Sequence, residues 1–387
     1  MKEMLTKAEK KVEYLELIYD LIFVYIIGRN NSLLHHTAEG RIQPAMFLTY
    51  ILCTLAVIQI WNFSAYYINL FGRNGLREHI FLFSNMFLLY FIGEGTHEHW
   101  HSFHTQYHIA WALILFNIVA QYVIEYRRHT DDAPLLKNIR QIIFTLAAEG
   151  VLVLAVIPVY RLTGTEVSYL PILFGMIVTM LSGRGGGETN VDFAHLSERA
   201  MLYVVFTFGE MVIAISGYFK GELSFNSIYF ALSAFLIVVG LFLSYGTFYD
   251  HIIDREQPTN GLVYMLIHIF IIFALNNITT SLEFMREEEI ELLPKIVFLI
   301  ASFLTFFVFL FLTRRFAKKT CRPPLSFYLK MSGLALGFTA LMLIFRENMR
   351  VNIAVSVIGV YAAYAEIYRF GRLNREHHCD NVINSEP

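Results

Sequence analysis

Long apolar stretches recur along the whole chain, and they constrain its fold more than any other feature of the sequence. A transmembrane helix needs about 20 mostly apolar residues. Twelve such stretches fit into the 387 residues, beginning near Leu15, Pro44, Glu78, Gln106, Asn138, Glu166, Leu196, Leu223, Asn260, Leu292, Leu325 and Val351. The sequence therefore predicts an all-α, polytopic integral membrane protein with about twelve transmembrane helices.

The composition supports this class and excludes several others. Hydrophobic residues make up 56% of the chain and charged residues 16%, whereas a soluble domain has about 45–50% and about 25%. The mean hydropathy is +0.50. These values exclude a soluble enzyme, a disordered chain and a nucleic-acid-binding protein. The partners to expect are membrane lipids and a small solute or ion; no cofactor is expected, and homo-oligomerisation stays open.

The positive charges between the stretches indicate the topology. With twelve spans and both termini in the cytoplasm, 20 of the 30 Lys and Arg residues fall in inside segments and seven in outside segments. Cytoplasmic loops of membrane proteins carry such an excess of positive charge. An odd number of spans would destroy the asymmetry. We therefore expect both termini to be cytoplasmic.

A glycine-rich linker, GRGGGE at 183–188, divides the chain into two predicted halves of six helices each, 1–187 and 188–387. The halves resemble each other loosely. The first span opens with Glu16 and Asp20, and the seventh opens with Glu198 and Arg199. Six is an even number, so both halves would insert in the same orientation. Parallel repeats of this kind occur in transporters.

Two acids lie close together in the first predicted span. Ionisable side chains at membrane depth cost about 2.5–3.5 kcal/mol each on insertion scales, so they usually pair or line a polar cavity. Glu16 and Asp20 are four residues apart and share one helix face, where like charges repel each other. This pair needs a shared proton, a cation or a basic partner. Functional and structural roles are both open for it, the structural one being an ion pair of Asp20 with an Arg from another span.

The seventh predicted span carries the densest set of ionisable residues. His195, Glu198 and Arg199 lie on adjoining faces of one turn. A local ion pair between Glu198 and Arg199 is the simplest interpretation of these two. Glu210 lies about 18 Å further along the axis than Glu198, near the middle of the membrane, where acids mark proton or ion pathways. Its neighbour Gly209 would let another backbone approach closely.

A histidine-rich segment precedes the core of the fourth stretch. His97, Glu98 and His101 match the zinc-protease pattern H-E-x-x-H, and His104 and His108 would continue the same stripe on a helix. Zinc accepts such ligands. The interpretations are a protease site, adventitious or regulatory metal binding, and an ordinary polar loop outside the membrane. We expect the polar loop and assign no metal ligands.

Three ordered motifs resemble one family. The segment 12–24, VEYLELIYDLIFV, resembles the opening E-L-F-F-D-L-V-F-V signature of the bacterial low temperature requirement A (LtrA) family. The segments 195–199, HLSER, and 208–210, FGE, resemble its second signature, H-x-x-E-R…L-G-E, and the pair 249–250 resembles its Y-F-D span ending. The segment 69–74, NLFGRN, lacks the acid pair of the family's N-R-F-D-T-D-D. The resemblance implies a polytopic protein of the bacterial inner membrane and says little about its substrate.

These features lead to one functional hypothesis and two alternatives. The hypothesis is a secondary transporter or a proton- or ion-coupled translocator, not an enzyme. Its substrate- or ion-binding residues would lie between the two halves and be Glu16, Asp20, His195, Glu198, Arg199 and Glu210. The alternatives are a cation channel and an intramembrane enzyme that acts on a lipid-soluble substrate. The segment 19–23 is similar to the F-S-D opening of a lysosomal and bacterial potassium-channel family.

Overall fold

A computed structural model describes residues 11–35, 37–38, 41–94, 100–182, 191–219, 224–285 and 291–383. These residues are almost entirely helical. The helices are α1 Tyr14–Asn30, α2 Pro44–Phe71, α3 Leu76–Glu94, α4 Trp100–Arg128, α5 Ala133–Thr163, α6 Tyr169–Ser182, α7 Phe193–Ile215, α8 Phe225–Thr247, α9 Leu262–Phe284, α10 Leu292–Leu312, α11 Leu325–Ile344 and α12 Met349–Ile383. The strands β1 Thr37–Ala38 and β2 Arg41–Ile42 form a short antiparallel pair. The predicted all-α class is confirmed.

Nine helices among the described residues are long and apolar enough to cross a membrane. They correspond to α2, α4, α5 and α7 to α12. The remaining three are shorter or less apolar, since α1 has 17 residues and two acids, α6 has 14 residues, and α3 carries Arg77 and Glu78 in its first turn and ends at Glu94. The protein is thus a multi-span helical membrane protein, while the twelve membrane crossings and the two six-helix repeats stay predictions.

Helix α1 shows how an intramembrane polar face is arranged. Glu16 and Asp20 are buried, whereas Ile18, Leu21 and Tyr25 on the opposite side are exposed. A helix in water would hide the apolar side. In lipid the apolar side costs nothing to expose, and charged side chains turn to the protein interior, where they find partners. The face of α1 that carries the acids is therefore the face that meets the rest of the protein.

The chain forms two compact units, each made of several chain segments. The first unit consists of Met1–Leu33, Ala45–Tyr203 and Glu256–Ile269, and the second of Leu34–Pro44, Val204–Arg255 and Phe270–Pro387. Helices α7 and α9 each contribute residues to both units. The predicted division into 1–187 and 188–387 follows different boundaries and stays a prediction. Its glycine-rich linker, 183–188, lies outside the described residues.

Candidate functional site

Four ionisable side chains come together inside the first unit; we call them the carboxylate cluster, and they are Glu16, Asp20, His195 and Arg199. Arg199 Nη2 lies 2.5 Å from Asp20 Oδ1, and Arg199 Nε lies 3.2 Å from Glu16 Oε2. His195 Nε2 lies 3.5 Å from the same Glu16 oxygen. Each of the four residues is at most 4% exposed. The predicted acid pair of α1 thus has a basic partner, and that partner comes from α7.

The start of α7 is fixed so that its basic residues face α1. Asp192 caps the helix, because its Oδ1 accepts a hydrogen bond from the His195 backbone N–H at 3.0 Å. The Asn69 side chain, near the end of α2, pairs with the Asp192 backbone twice: Nδ2 donates to the carbonyl at 2.7 Å, and Oδ1 accepts from the N–H at 3.1 Å. Arg199 then lies about 9 Å along the α7 axis from the first helical residue, well inside the protein.

Asn69 also determines which nitrogen of His195 carries the proton. Both amide atoms of Asn69 are engaged by the Asp192 backbone, so the NH2 group is the one that faces His195 Nδ1, at 3.0 Å. A nitrogen that receives an N–H acts as the acceptor, which leaves Nε2 as the protonated nitrogen of a neutral ring. That Nε2–H faces Glu16.

Asp20 receives a second hydrogen bond from α2, a contact that the sequence did not indicate. Trp61 Nε1 donates to Asp20 Oδ1 at 2.7 Å, the same oxygen that contacts Arg199. A chain of polar contacts runs alongside, from Tyr19 on α1 to Ser64 on α2 and Asn85 on α3. These bonds hold α1 in one register against α2 and α3 and so position the two acids.

Among the described residues, two polar atoms of the carboxylate cluster take part neither in a hydrogen bond nor in the ion pairs described above. Asp20 Oδ2 and Arg199 Nη1 are buried, and within the described part of the chain neither has a hydrogen-bond partner. An unsatisfied buried donor or acceptor costs about 1–3 kcal/mol, and more when the group is charged. A proton, an ion, a small polar solute or a water at these atoms would remove that cost. The carboxylate cluster thus contains an ion pair, an acceptor atom without a donor (Asp20 Oδ2) and a donor atom without an acceptor (Arg199 Nη1), within the described residues.

Glu198 and Glu210, the two other predicted site residues, are placed differently. The local ion pair expected between Glu198 and Arg199 is wrong, because Arg199 turns towards α1 and pairs with Glu16 and Asp20. Glu198 is half-buried and takes no part in the ion pairs of the described residues. Glu210 belongs to the second unit, is half-buried and interacts electrostatically with Glu283.

The role expected of Gly209 is not supported. Gly209 is exposed, and a Cβ atom built on it would meet no atom of the described residues within 4 Å. The close backbone approach that we expected there is therefore wrong for this chain. Side chains, not a backbone, come close to Gly175 on α6, where a Cβ would overlap Gln59 Nε2 and Oε2 of the fully buried Glu149.

The histidine-rich segment is helical from Trp100 onward, because α4 begins six residues before the predicted start at Gln106. The expectation of a polar loop is wrong for this part. Its side chains find partners that a loop would lack: His104 is 1% and His108 0% exposed, and the His104 ring stacks on Tyr160 of α5 with centroids 3.8 Å apart. His97 and Glu98 of the H-E-x-x-H pattern lie outside the described residues.

A second buried group forms around these histidines; we call it the histidine cluster, and it consists of His104, His108, Glu166 and Ser168. Glu166 lies in the connection 164–168 between α5 and α6, which turns back towards α4 because Gly164 adopts a left-handed conformation with φ of 68°. Glu166 Oε2 lies 3.3 Å from His104 Nε2. Ser168 Oγ contacts Glu166 Oε1 and lies 2.6 Å from His108 Nε2.

Glu166 is ionised in this setting. Burial raises the pKa of its carboxyl group, but the His104 ring at 3.3 Å, hydrogen bonding to Ser168 and the nearby His108 outweigh burial and lower the pKa from its ordinary value to about 2. The histidine cluster therefore contains a carboxylate beside two imidazoles. One ligand atom from each of His104, His108 and Glu166 lies within 4.8 Å of the others, as in a metal-binding group.

Sequence reasoning did not identify Trp61, Asn69 or Glu166 as site residues. Polarity within an apolar stretch was the signal for Trp61, and many such residues only bridge helices. Asn69 also opens the segment 69–74 that was compared with the family's N-R-F-D-T-D-D. Glu166 lies 58 residues after His108 and forms no local motif with it. Only packing of α4 against the α5–α6 connection brings the two together.

Comparison with known proteins identifies the family. The family model described as bacterial low temperature requirement A protein (LtrA) matches residues 11–363, nearly the whole chain. Comparison with curated proteins and with solved structures finds no significant match in either set. The matched range contains both clusters, and it includes the motifs at 12–24 and 195–210 from which the resemblance was predicted. The chain therefore belongs to the bacterial low temperature requirement A (LtrA) family.

Proposed function

We propose that this protein is a secondary transporter or a proton- or ion-coupled translocator of a bacterial cytoplasmic membrane, and that the carboxylate cluster is its ion-binding or proton-binding site. The observation that carries the proposal is the state of Asp20. Its carboxylate is fully buried and contacts Arg199 and Trp61 through Oδ1, while Oδ2 has no hydrogen-bond partner among the described residues. Buried intramembrane acids with free acceptor atoms mark ion and proton pathways.

The neighbourhood of Asp20 suits reversible binding. The Arg199 guanidinium stays protonated and keeps its positive charge. A cation or proton that arrives at Asp20 Oδ2 therefore competes with the existing ion pair and binds reversibly. Glu16, which contacts both Arg199 and His195, is a second carboxylate beside Asp20 that can bind a cation or a proton. The unpartnered Arg199 Nη1 offers a donor to an anionic or polar solute. Arg199 belongs to the second predicted half and Asp20 to the first, in agreement with a site built from both.

Proteoliposomes with a trapped pH indicator test the proposal. Imposed gradients of Na⁺, K⁺ and Ca²⁺ are applied one at a time, and the wild-type protein is expected to change internal pH with a rate that saturates as the cation concentration rises. Asp20→Asn should abolish this flux. The matched control is Asp131→Asn, which changes an exposed acid between α4 and α5 and should retain it.

The same preparation distinguishes the alternatives. Ohmic single-channel current in a planar bilayer would favour a cation channel. Product formation from a lipid-soluble compound in detergent, where no gradient exists, would favour an intramembrane enzyme. Wild-type flux no greater than that of protein-free vesicles for all three cations would contradict the proposal, as would full flux in Asp20→Asn.

A further inference from the structure

The histidine cluster presents ligand atoms that the described protein leaves unsatisfied. His104 Nε2 and Glu166 Oε2 are buried and face each other at 3.3 Å, yet neither has a hydrogen-bond partner of good geometry among the described residues. Burying an imidazole nitrogen and a carboxylate oxygen without hydrogen bonds lowers the stability of the folded protein. Both are also metal ligands.

The second imidazole of the histidine cluster, His108, also has a nitrogen that can bind a cation. His108 Nδ1 donates its hydrogen to the His104 carbonyl at 2.7 Å, so in the neutral ring Nε2 carries a lone pair. Ser168 Oγ faces both this Nε2 and Glu166 Oε1. A hydroxyl has one hydrogen and cannot donate to both acceptors. A cation bound at Nε2 would resolve this conflict.

The arrangement matches a metal site in a second respect. Metal-ligating histidines usually donate their other N–H to a backbone carbonyl or carboxylate, which fixes the ring and its tautomer. His108 does so through the His104 carbonyl, and Glu166 is held by the Ser168 backbone N–H at 3.0 Å. His108 and Glu166 are thus held by hydrogen bonds before any ion arrives, and the His104 ring is held by stacking on Tyr160.

We propose that His104, His108 and Glu166 bind one zinc ion, which fastens the connection 164–168 to the start of α4. Two histidines and one glutamate form an established zinc ligand set, and zinc bonds to such ligands measure about 2.0–2.2 Å with tetrahedral geometry. Ligand atoms are then about 3.3–3.5 Å apart. The 3.3 Å between His104 Nε2 and Glu166 Oε2 already equals that spacing, and Ser168 Oγ or a water takes the fourth position.

The site is structural because it is closed. A surface depression of about 610 Å³ borders it, lined by His101, His104, Tyr160 and Arg161. The Tyr160 ring stacks over His104, and His104 is only 1% exposed although it borders this space. A catalytic zinc needs an open position that substrate can reach.

Zinc content of the full-length, untagged chain tests the proposal. The protein is purified in detergent, stripped with EDTA, reloaded with Zn²⁺ and passed through a desalting column before elemental analysis. We expect about one zinc ion per chain, and loss of at least about nine-tenths of it in His108→Gln and in Glu166→Gln, since each removes one ligand. The matched control, His101→Ala, removes the exposed histidine of the H-E-x-x-H pattern and should retain zinc.

Tryptophan fluorescence gives a readout that does not depend on the folding of a variant. The Trp100 ring lies 5.4 Å from the His104 ring, and the Trp111 ring lies 6.0 Å from the His108 ring. Binding of Co²⁺ to the wild-type protein should therefore quench the fluorescence, and Zn²⁺ should restore it by competition. Zn²⁺ should also raise the melting temperature of the stripped protein by several degrees.

Three results would overturn the proposal. One is substoichiometric zinc in the wild-type protein together with absent Co²⁺ quenching, which would leave the cluster as a proton-sharing group of His104, His108 and Glu166. Another is zinc that disappears in His101→Ala but persists in His108→Gln, which would place the metal on surface histidines. The third is normal zinc in Glu166→Gln and His108→Gln alike. None of them bears on the carboxylate cluster, so the transport proposal stands or falls separately.

Discussion

Arg199 of α7 donates a hydrogen bond to Asp20 of α1 over 2.5 Å, and neither residue has any measurable exposure. The two are 179 residues apart in the chain. Arg199 also contacts Glu16 one turn earlier. This ion pair is the centre of the carboxylate cluster and the reason why two like charges can occupy one face of α1.

The first prediction concerns the energy of this ion pair. Arg199→Gln leaves the buried Glu16 and Asp20 without their cationic partner and should destabilise the protein by about 3–5 kcal/mol. Asp20→Asn keeps the ion pair of Arg199 with Glu16 and should cost less. The double variant leaves one buried acid, Glu16, without that partner and should lose less than the sum of the single effects, with a coupling of at least about 1 kcal/mol. Thermal unfolding in detergent measures all three. Strict additivity would show that the two side chains do not interact in the folded protein.

The second prediction concerns Asn69, which links α2 to the start of α7. Asn69→Ala removes two hydrogen bonds to the Asp192 backbone and one to His195, among others, and should cost about 2–3 kcal/mol. Asn226→Ala is the control, because Asn226 is exposed and bonds only the exposed Arg350 among the described side chains, and it should stay within about 0.5 kcal/mol of wild type. Equal melting temperatures for the two variants would contradict the role of Asn69.

The third prediction concerns the close approach at Gly175. In Gly175→Ala the new methyl group would lie far inside contact distance of Gln59 Nε2 and Glu149 Oε2, so α6 has to shift, at a cost of about 1–3 kcal/mol. Gly337→Ala in α11 serves as the control, since nothing lies within 4 Å of its Cβ position. That change should be neutral or stabilising, by up to about 1 kcal/mol. A Gly175→Ala protein as stable as wild type would refute the packing described for Glu149.

The fourth prediction concerns Glu210. Glu210→Gln keeps the shape of the side chain and removes its ionisation, so the variant should fold normally and lose pH-dependent activity if Glu210 carries protons. Glu283→Gln tests whether its acidic neighbour shares that role. Wild-type pH dependence in Glu210→Gln, measured with the proteoliposome assay, would show that Glu210 is only a structural hydrogen-bonding group.

The fifth prediction concerns topology. The charge bias of the loops puts both termini in the cytoplasm and the segment 95–99 outside. Reporter fusions at the C-terminus and within 95–99 should therefore report opposite sides of the membrane. Signals from the same side would reject the twelve-span topology.

The amino-acid sequence by itself determined the class of this protein and its family. Apolar stretches of membrane-spanning length can fold only as helices in lipid, because every backbone polar group needs an internal partner. That constraint is local, so the predicted starts at Pro44, Leu292 and Leu325 coincide with the starts of α2, α10 and α11. The ordered motifs at 12–24 and 195–210 were equally readable and indicated the family that the comparison confirmed.

Tertiary structure alone decided which polar residues meet. Periodicity placed Glu16 and Asp20 on one face of a helix, but it could not show whether Arg199 pairs with its chain neighbour Glu198 or with α1. The same applies to Glu166 and His108, whose encounter depends on the turn at Gly164 and on the packing of α4 against α5. Pairing between side chains that are far apart in the chain depends on the rotation and register of whole helices. Rotation and register are set by packing energies summed over many residues, and a single sequence motif does not contain that information.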